Sequence, residues 1–203
     1  MLASLYGTRY ELDLPESANA LEKTIELTKR AIDLESESQL VRIAYAWSQF
    51  VQENKDLFLY EMDQALALNP NSPFRVGMIG FFLSLYGEWE QGKKLLDKAM
   101  KQNIGFPAWY HGATSLYYYR LNDFEKAYEE AIKYDVPAIF WGPMLRAANL
   151  GQLNRKSEAE QHISDLRMLK PDFESKSRYL ISRYVKEEEL VDKIIEGLQK
   201  AVL

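Results

Sequence analysis

The chain has 203 residues, 47% of them apolar and 13% aromatic, which is ample for a continuous core and too apolar for a disordered segment. A formal net charge of −5, with no run of Lys or Arg longer than two residues, provides no basic stripe for phosphates and argues against nucleic-acid binding. Cysteine is absent, which removes disulfides, thiolate nucleophiles and cysteine-based zinc sites together, and a reducing, cytoplasmic setting is expected.

Along the chain, Leu-Ala-Ser-Leu-Tyr follows Met1 without a basic region or a sustained apolar stretch, so no signal peptide is expected. A first helix is expected over Leu2 to Glu11, and a second begins near Pro15-Glu16-Ser17 and ends at Ala31-Ile32. Ala31 also opens a period. Ala31, Ala65 and Ala99 are spaced 34 residues apart, each followed by an aliphatic side chain, Ile32, Leu66 or Met100. That period belongs to stacked helical hairpins, which cannot bury their apolar faces singly. Asn69-Pro70 closes the second unit, and Ser72 and Pro73 suit the N-cap and first helical position of the next helix. The longest apolar run, Val76 to Tyr86, is interrupted by glycines and Ser84 and spans 11 residues. A membrane helix needs roughly 20, so this one reads as a buried helix.

In the third unit Gly87-Glu88-Trp89 turns the chain into the second helix, and the small residues Gly80, Gly92 and Ala99 let helix backbones approach closely. Asn122 to Ala127 repeats that turn 35 residues later, and Asn154 to Ala159 repeats it again after 32. Pro137 ends the helix before it early, and Leu169-Lys170-Pro171 closes the fifth unit. Phe173 to Tyr184 and Glu187 to Leu203 then form a helical pair without the turn signature, read as a terminal cap. A single domain over 1–203 results, with units at about 1–38, 39–72, 73–106, 107–138 and 139–172 and a cap at 173–203.

This pattern resembles the tetratricopeptide repeat. Ile79-Gly80 fits the family's Leu-Gly pair, while Val76, Gly92 and Ile104 stand where the family favours Trp, Ala and Pro. The resemblance implies an all-α fold, a right-handed α-α superhelix (TPR solenoid) of about five helix pairs plus a C-terminal helical cap. The run Ala65 to Ser72, then Pro107-Ala108-Trp109-Tyr110, then Ile195 to Ala201, is similar to the C-terminal repeat region of bacterial signalling proteins. In those, such repeats follow a class III adenylate/guanylate cyclase domain or a winged-helix domain, and neither domain is present in this chain. A regulatory module, or a stand-alone relative, is what the resemblance implies.

In that architecture the first helix of each pair lines the concave face. The rule selects an aromatic groove: Trp47, Phe50, Phe74, Phe81, Trp109, Tyr119 and Trp141. Large rigid rings in a concavity suit recognition of a partner peptide or helix, and the same rings suit plain core packing. Arg75, His111 and Arg120 are the basic residues nearest the groove, and the lysine–asparagine clamp with which some family members grip a peptide carboxylate is missing.

No catalytic, cofactor or metal site is expected. His111 and His162 lie on different units without a companion ligand, and Ser115 and Ser157 lack nucleophile-elbow glycines. Gly77-Met78-Ile79-Gly80 lies inside a helix, not after a strand, and Glu129-Glu130 and Glu187 to Glu189 sit on polar helix faces. The expected function is a non-enzymatic protein–protein interaction or scaffold module. Its partner is a protein or peptide, with no nucleic acid and no membrane bound by this segment. Two alternatives stand beside it: a ligand- or peptide-sensing module controlling an attached output domain, and a module that associates with a second copy of itself.

Overall fold

The computed structural model describes Gly7, Tyr10, Asp13 and residues 19–202, and among these residues there is no strand. Eleven helices are described over their whole length. They are α1 (Ala20–Leu34), α2 (Gln39–Val51), α3 (Lys55–Leu68), α4 (Pro73–Leu85), α5 (Trp89–Gln102), α6 (Tyr110–Arg120), α7 (Phe124–Lys133), α8 (Trp141–Gln152), α9 (Lys156–Leu169), α10 (Phe173–Ser182) and α11 (Glu188–Val202). The helix expected over Leu2 to Glu11 lies outside the described residues except for Gly7 and Tyr10, both in helical backbone, and Pro15-Glu16-Ser17 also lies outside them.

Four hairpins share one turn. The helices α2/α3, α4/α5, α6/α7 and α8/α9 are each joined through a single left-handed residue: Glu53 (φ 60), Gly87 (φ 100), Asn122 (φ 62) and Asn154 (φ 57). In every case the following N–H reaches back to the same carbonyl. Asn54 donates to Gln49, Glu88 to Leu83, Asp123 to Tyr118 and Arg155 to Leu150, at 2.9–3.1 Å. This is the Schellman closure, which satisfies carbonyls that the helix end would otherwise orphan. Ser72 occupies the N-cap position of α4 with Pro73 at the first turn, but its side chain makes no capping hydrogen bond. Helix α7 stops at Lys133, ahead of Pro137.

Each hairpin stacks on the next through both of its helices: α2 touches α4, α4 touches α6 and α6 touches α8, while α3, α5 and α7 pack on α4, α6 and α8 respectively. The pairing of α4 with α5 runs through glycine. A Cβ on Gly80 would stand 2.7 Å from the Gly92 carbonyl oxygen, so the two backbones meet directly. Ala65, Ala99 and their neighbours Phe58, Met62 and Leu96 are fully buried.

The last pair is different. Helix α11 turns back onto α8, where a Cβ on Gly151 would lie 1.9 Å from the Gly197 carbonyl oxygen. The segment leading into α11 crosses the tips of the earlier hairpins. Lys186 donates its backbone N–H to Leu85 at 2.9 Å, and the Trp89 indole donates to Glu187 at 2.6 Å. The Tyr119 hydroxyl donates to the Lys193 carbonyl at 2.9 Å, and the Lys193 ammonium donates to that of Arg120 at 3.1 Å. The cap is therefore bound to three successive hairpins and not only to the last. No described helix is long and apolar enough to cross a membrane.

Candidate functional site

The first helices of the four hairpins turn one side toward a common cavity of about 410 Å³. Helix periodicity selects the lining, because residues three and four apart share a face. Helix α2 supplies Leu40, Ile43, Ala44 and Trp47, and α4 supplies Met78, Phe81, Phe82 and Leu85. From α6 and its N-cap come Trp109, Gly112, Ala113 and Leu116, and from α8 come Trp141 and Leu145. The segment between α7 and α8 adds Tyr134, Val136 and Ile139. Phe81 and Trp109 meet edge to face at 4.7 Å, and Trp141 meets Tyr184 from the cap at 4.9 Å.

Two further elements border this concavity. Helix α1 covers one side with Thr24 and Thr28, whose hydroxyls donate to the carbonyls of Ala20 and Thr24 in their own helix. Gly7 lies directly on the Trp47 ring, where a Cβ would stand 2.8 Å from its edge. The N-terminal segment is then tied to the cap. Asp13 accepts hydrogen bonds from Lys170 at 3.0 Å and Lys176 at 3.1 Å. The Tyr10 carbonyl accepts from Arg183, whose guanidinium lies 4.2 Å from the Tyr10 ring and 4.3 Å from that of Tyr179. Burial works against the Asp13 carboxylate, but the hydrogen bonds from Lys170 and Lys176 outweigh it and lower its pKa.

Of the seven aromatics that the repeat pattern assigned to a groove, Trp47, Phe81, Trp109 and Trp141 line the cavity. The other three are placed elsewhere. Phe50 is buried against Phe58, Phe82 and Tyr86. Tyr119 is buried beneath the cap, its hydroxyl on Lys193, and burial raises its pKa. Phe74 is 46% exposed, outside the cavity lining. In α4 the lining falls at 78, 81, 82 and 85, where the repeat rule selects Phe74 and Phe81. The cause is the glycine crossing, which turns Gly80 and Ser84 onto α5, while Gly77 lies under the Tyr110 ring.

None of the three basic candidates reaches the cavity lining. His111 pairs with Glu130 at 2.7 Å, Arg120 with Glu90 at 3.2 Å, and Arg75 is half-buried outside the lining. Burial opposes the charge of Glu130, but hydrogen bonds from His111 and Lys133 prevail and lower its pKa. Among the described residues no group of three or more His, Asp or Glu side chains is arranged to hold a metal ion.

Sequence reasoning missed the roof. Gly7, Thr24, Thr28 and Tyr184 carry no groove signal, because they come from outside the repeating first helices. Comparison of the chain with models of known protein families, with curated proteins and with solved structures finds no match.

Proposed function

We propose that the chain is a tetratricopeptide-type module, a right-handed α-α superhelix that works by binding and not by catalysis, taking an apolar guest into its concavity. The observation that supports this is the cavity itself: about 410 Å³, walled by Trp47, Phe81, Trp109 and Trp141, with no charged side chain among the described residues of its lining. That volume falls within the range of small-molecule sites, about 300–1,000 Å³. The guest is then a small molecule or a few apolar side chains of a peptide, which suits a sensing role. Helix α1 and the cap close over the guest, so its entry would be felt at both ends of the chain.

Three of the four tryptophans line the cavity, and the fourth, Trp89, is held by Glu187. Titrating the purified chain with apolar probes should shift tryptophan emission. Phe81→Ala and Trp109→Ala should weaken that response while circular dichroism still melts cooperatively. A titration with no shift would reject the reading, and unfolding of both variants would assign the two rings to the core instead.

A further inference from the structure

A second cavity, of about 420 Å³, shares Tyr134, Val136 and Ile139 with the concavity, so the segment between α7 and α8 lines both. We propose that this second cavity is a separate site for a small zwitterion, a free α-amino acid with an aliphatic side chain. Arg146 takes its carboxylate, Asp165 its ammonium, and the apolar rim its side chain.

Arg146 carries the first part. Its guanidinium is half-buried in the cavity and has no carboxylate partner among the described residues. The hydrogen bonds it makes are long: Nε donates to His162 Nδ1 and Nη1 to the carbonyls of Ala131 and Tyr134, each at 3.4 Å. Nη2 makes none and keeps accessible surface. It lies along the first turn of α8, where a Cβ on Gly142 would stand 3.3 Å from it. Burial lowers the Arg146 pKa, and Asp165 and Asp135 oppose this only from a distance, since neither forms an ion pair with it. A guanidinium stays charged at neutral pH, and its planar fork matches a carboxylate.

The acids define the other half of the guest. Asp165 lines the same cavity and receives only the Gln161 amide, at 2.8 Å on one oxygen. Asp135, also in the lining, is exposed and pairs with no cation among the described residues. A bare anion on Arg146 would meet the repulsion of both acids, whereas a guest with an ammonium beside its carboxylate meets each sign with its opposite. Opposite charges that share a cavity without pairing leave the gap that a zwitterion spans. Ile132, Met168 and Leu169 line the same cavity and are exposed, ready to cover an aliphatic side chain.

Calorimetric titration of the full chain with leucine, leucinamide and N-acetylleucine separates these contacts. Leucinamide lacks the carboxylate and N-acetylleucine the ammonium, and each should bind at least about tenfold more weakly than leucine, the value of one charge-assisted contact. Arg146→Met should remove the preference over leucinamide, and Asp165→Asn the preference over N-acetylleucine, so that either variant serves if the other does not fold. His162 reports occupancy independently. Burial, and then the charge of Arg146, lower its pKa, so leucine should raise the pKa read from the imidazole proton shifts and leucinamide should not. Equal binding of N-acetylleucine would overturn the zwitterion, and equal binding of leucinamide the role of Arg146. No heat and no His162 shift at about 10 mM leucine, or binding unaltered in both variants, would overturn the site itself while leaving the reading of the concavity untouched.

Discussion

Asp13 accepts a hydrogen bond from Lys170 across 157 residues of sequence, at 3.0 Å, so the N-terminal segment is fastened to the far end of the helical stack. Lys176 joins at 3.1 Å, and the Arg183 guanidinium is 3.8 Å away. Gly7, six residues before Asp13, lies on the Trp47 ring at the cavity.

Asp13→Asn removes the charge from this clasp. Discounted for solvent screening, the loss of stability should be about 1 kcal/mol, while the association rate of an apolar probe should rise as the roof loosens. Stopped-flow fluorescence reads the rate, and an unchanged rate would mean that entry does not pass the clasp. Since the folded pKa of Asp13 is lowered, its contribution is present above the ordinary carboxylate range and is lost as pH falls through the folded value.

Gly151→Ala should be among the most damaging single substitutions in the chain. The new methyl would have to occupy a point 1.9 Å from the Gly197 carbonyl oxygen, which is backbone and has no rotamer to escape into. A loss of more than about 3 kcal/mol is expected from overpacking without relief. Urea denaturation measures it, and limited proteolysis should show cleavage entering α11 first.

Tyr119→Phe separates a core residue from a cavity residue. The hydroxyl donates to Lys193 beneath the cap, so its removal should cost about 1 kcal/mol of stability and leave probe affinity unchanged. A variant with weaker binding and native stability would return Tyr119 to the groove.

Glu53→Gly should stabilise the protein. Glu53 holds the left-handed position that Gly87, Asn122 and Asn154 fill in the other turns, at φ 60. Relief of that strain, less the added freedom of the unfolded chain, gives about 0.5–1 kcal/mol. Its ion pair with Lys186 is 3.2 Å long on an exposed carboxylate, and losing it subtracts little. Thermal melts at neutral pH provide the check.

Burial, and then the neighbouring Arg146, lower the pKa of His162, whose Nδ1 accepts from Arg146 at 3.4 Å. The folded state therefore favours neutral imidazole. Stability should be full above the ordinary histidine pKa and decline as pH falls below it toward the folded value, because the unfolded chain takes the proton first. His162→Gln should flatten that part of the melting-temperature profile between pH 7 and about 5.

Much of the helical order was legible in residue types. Gly87, Asn122 and Asn154 announced their turns because glycine and asparagine tolerate left-handed backbone. Glu53 makes the same turn and passed unnoticed, since glutamate carries no such preference and the stacking of α2 on α3 imposes the conformation. Pro137 and Pro171 marked breaks that the chain respects, at the ends of α7 and α9.

By itself, then, the sequence determined the helices, three of the four hairpin turns and an excess of aromatic side chains on the first helices, because these follow from local backbone preference and helical spacing. Only the tertiary structure decided which rings face the cavity. Trp47 and Phe50 lie three residues apart on one helix, yet one lines the cavity and the other is held by Phe58 and Tyr86. That division depends on how α2 packs against α3 and the end of α4, where Phe58 and Tyr86 take up Phe50, which spacing alone does not encode. Closure of the concavity was likewise a tertiary matter. It rests on Asp13 with Lys170, Tyr10 with Arg183 and Trp89 with Glu187, pairs 98 to 173 residues apart, which meet only once the hairpins between them have stacked.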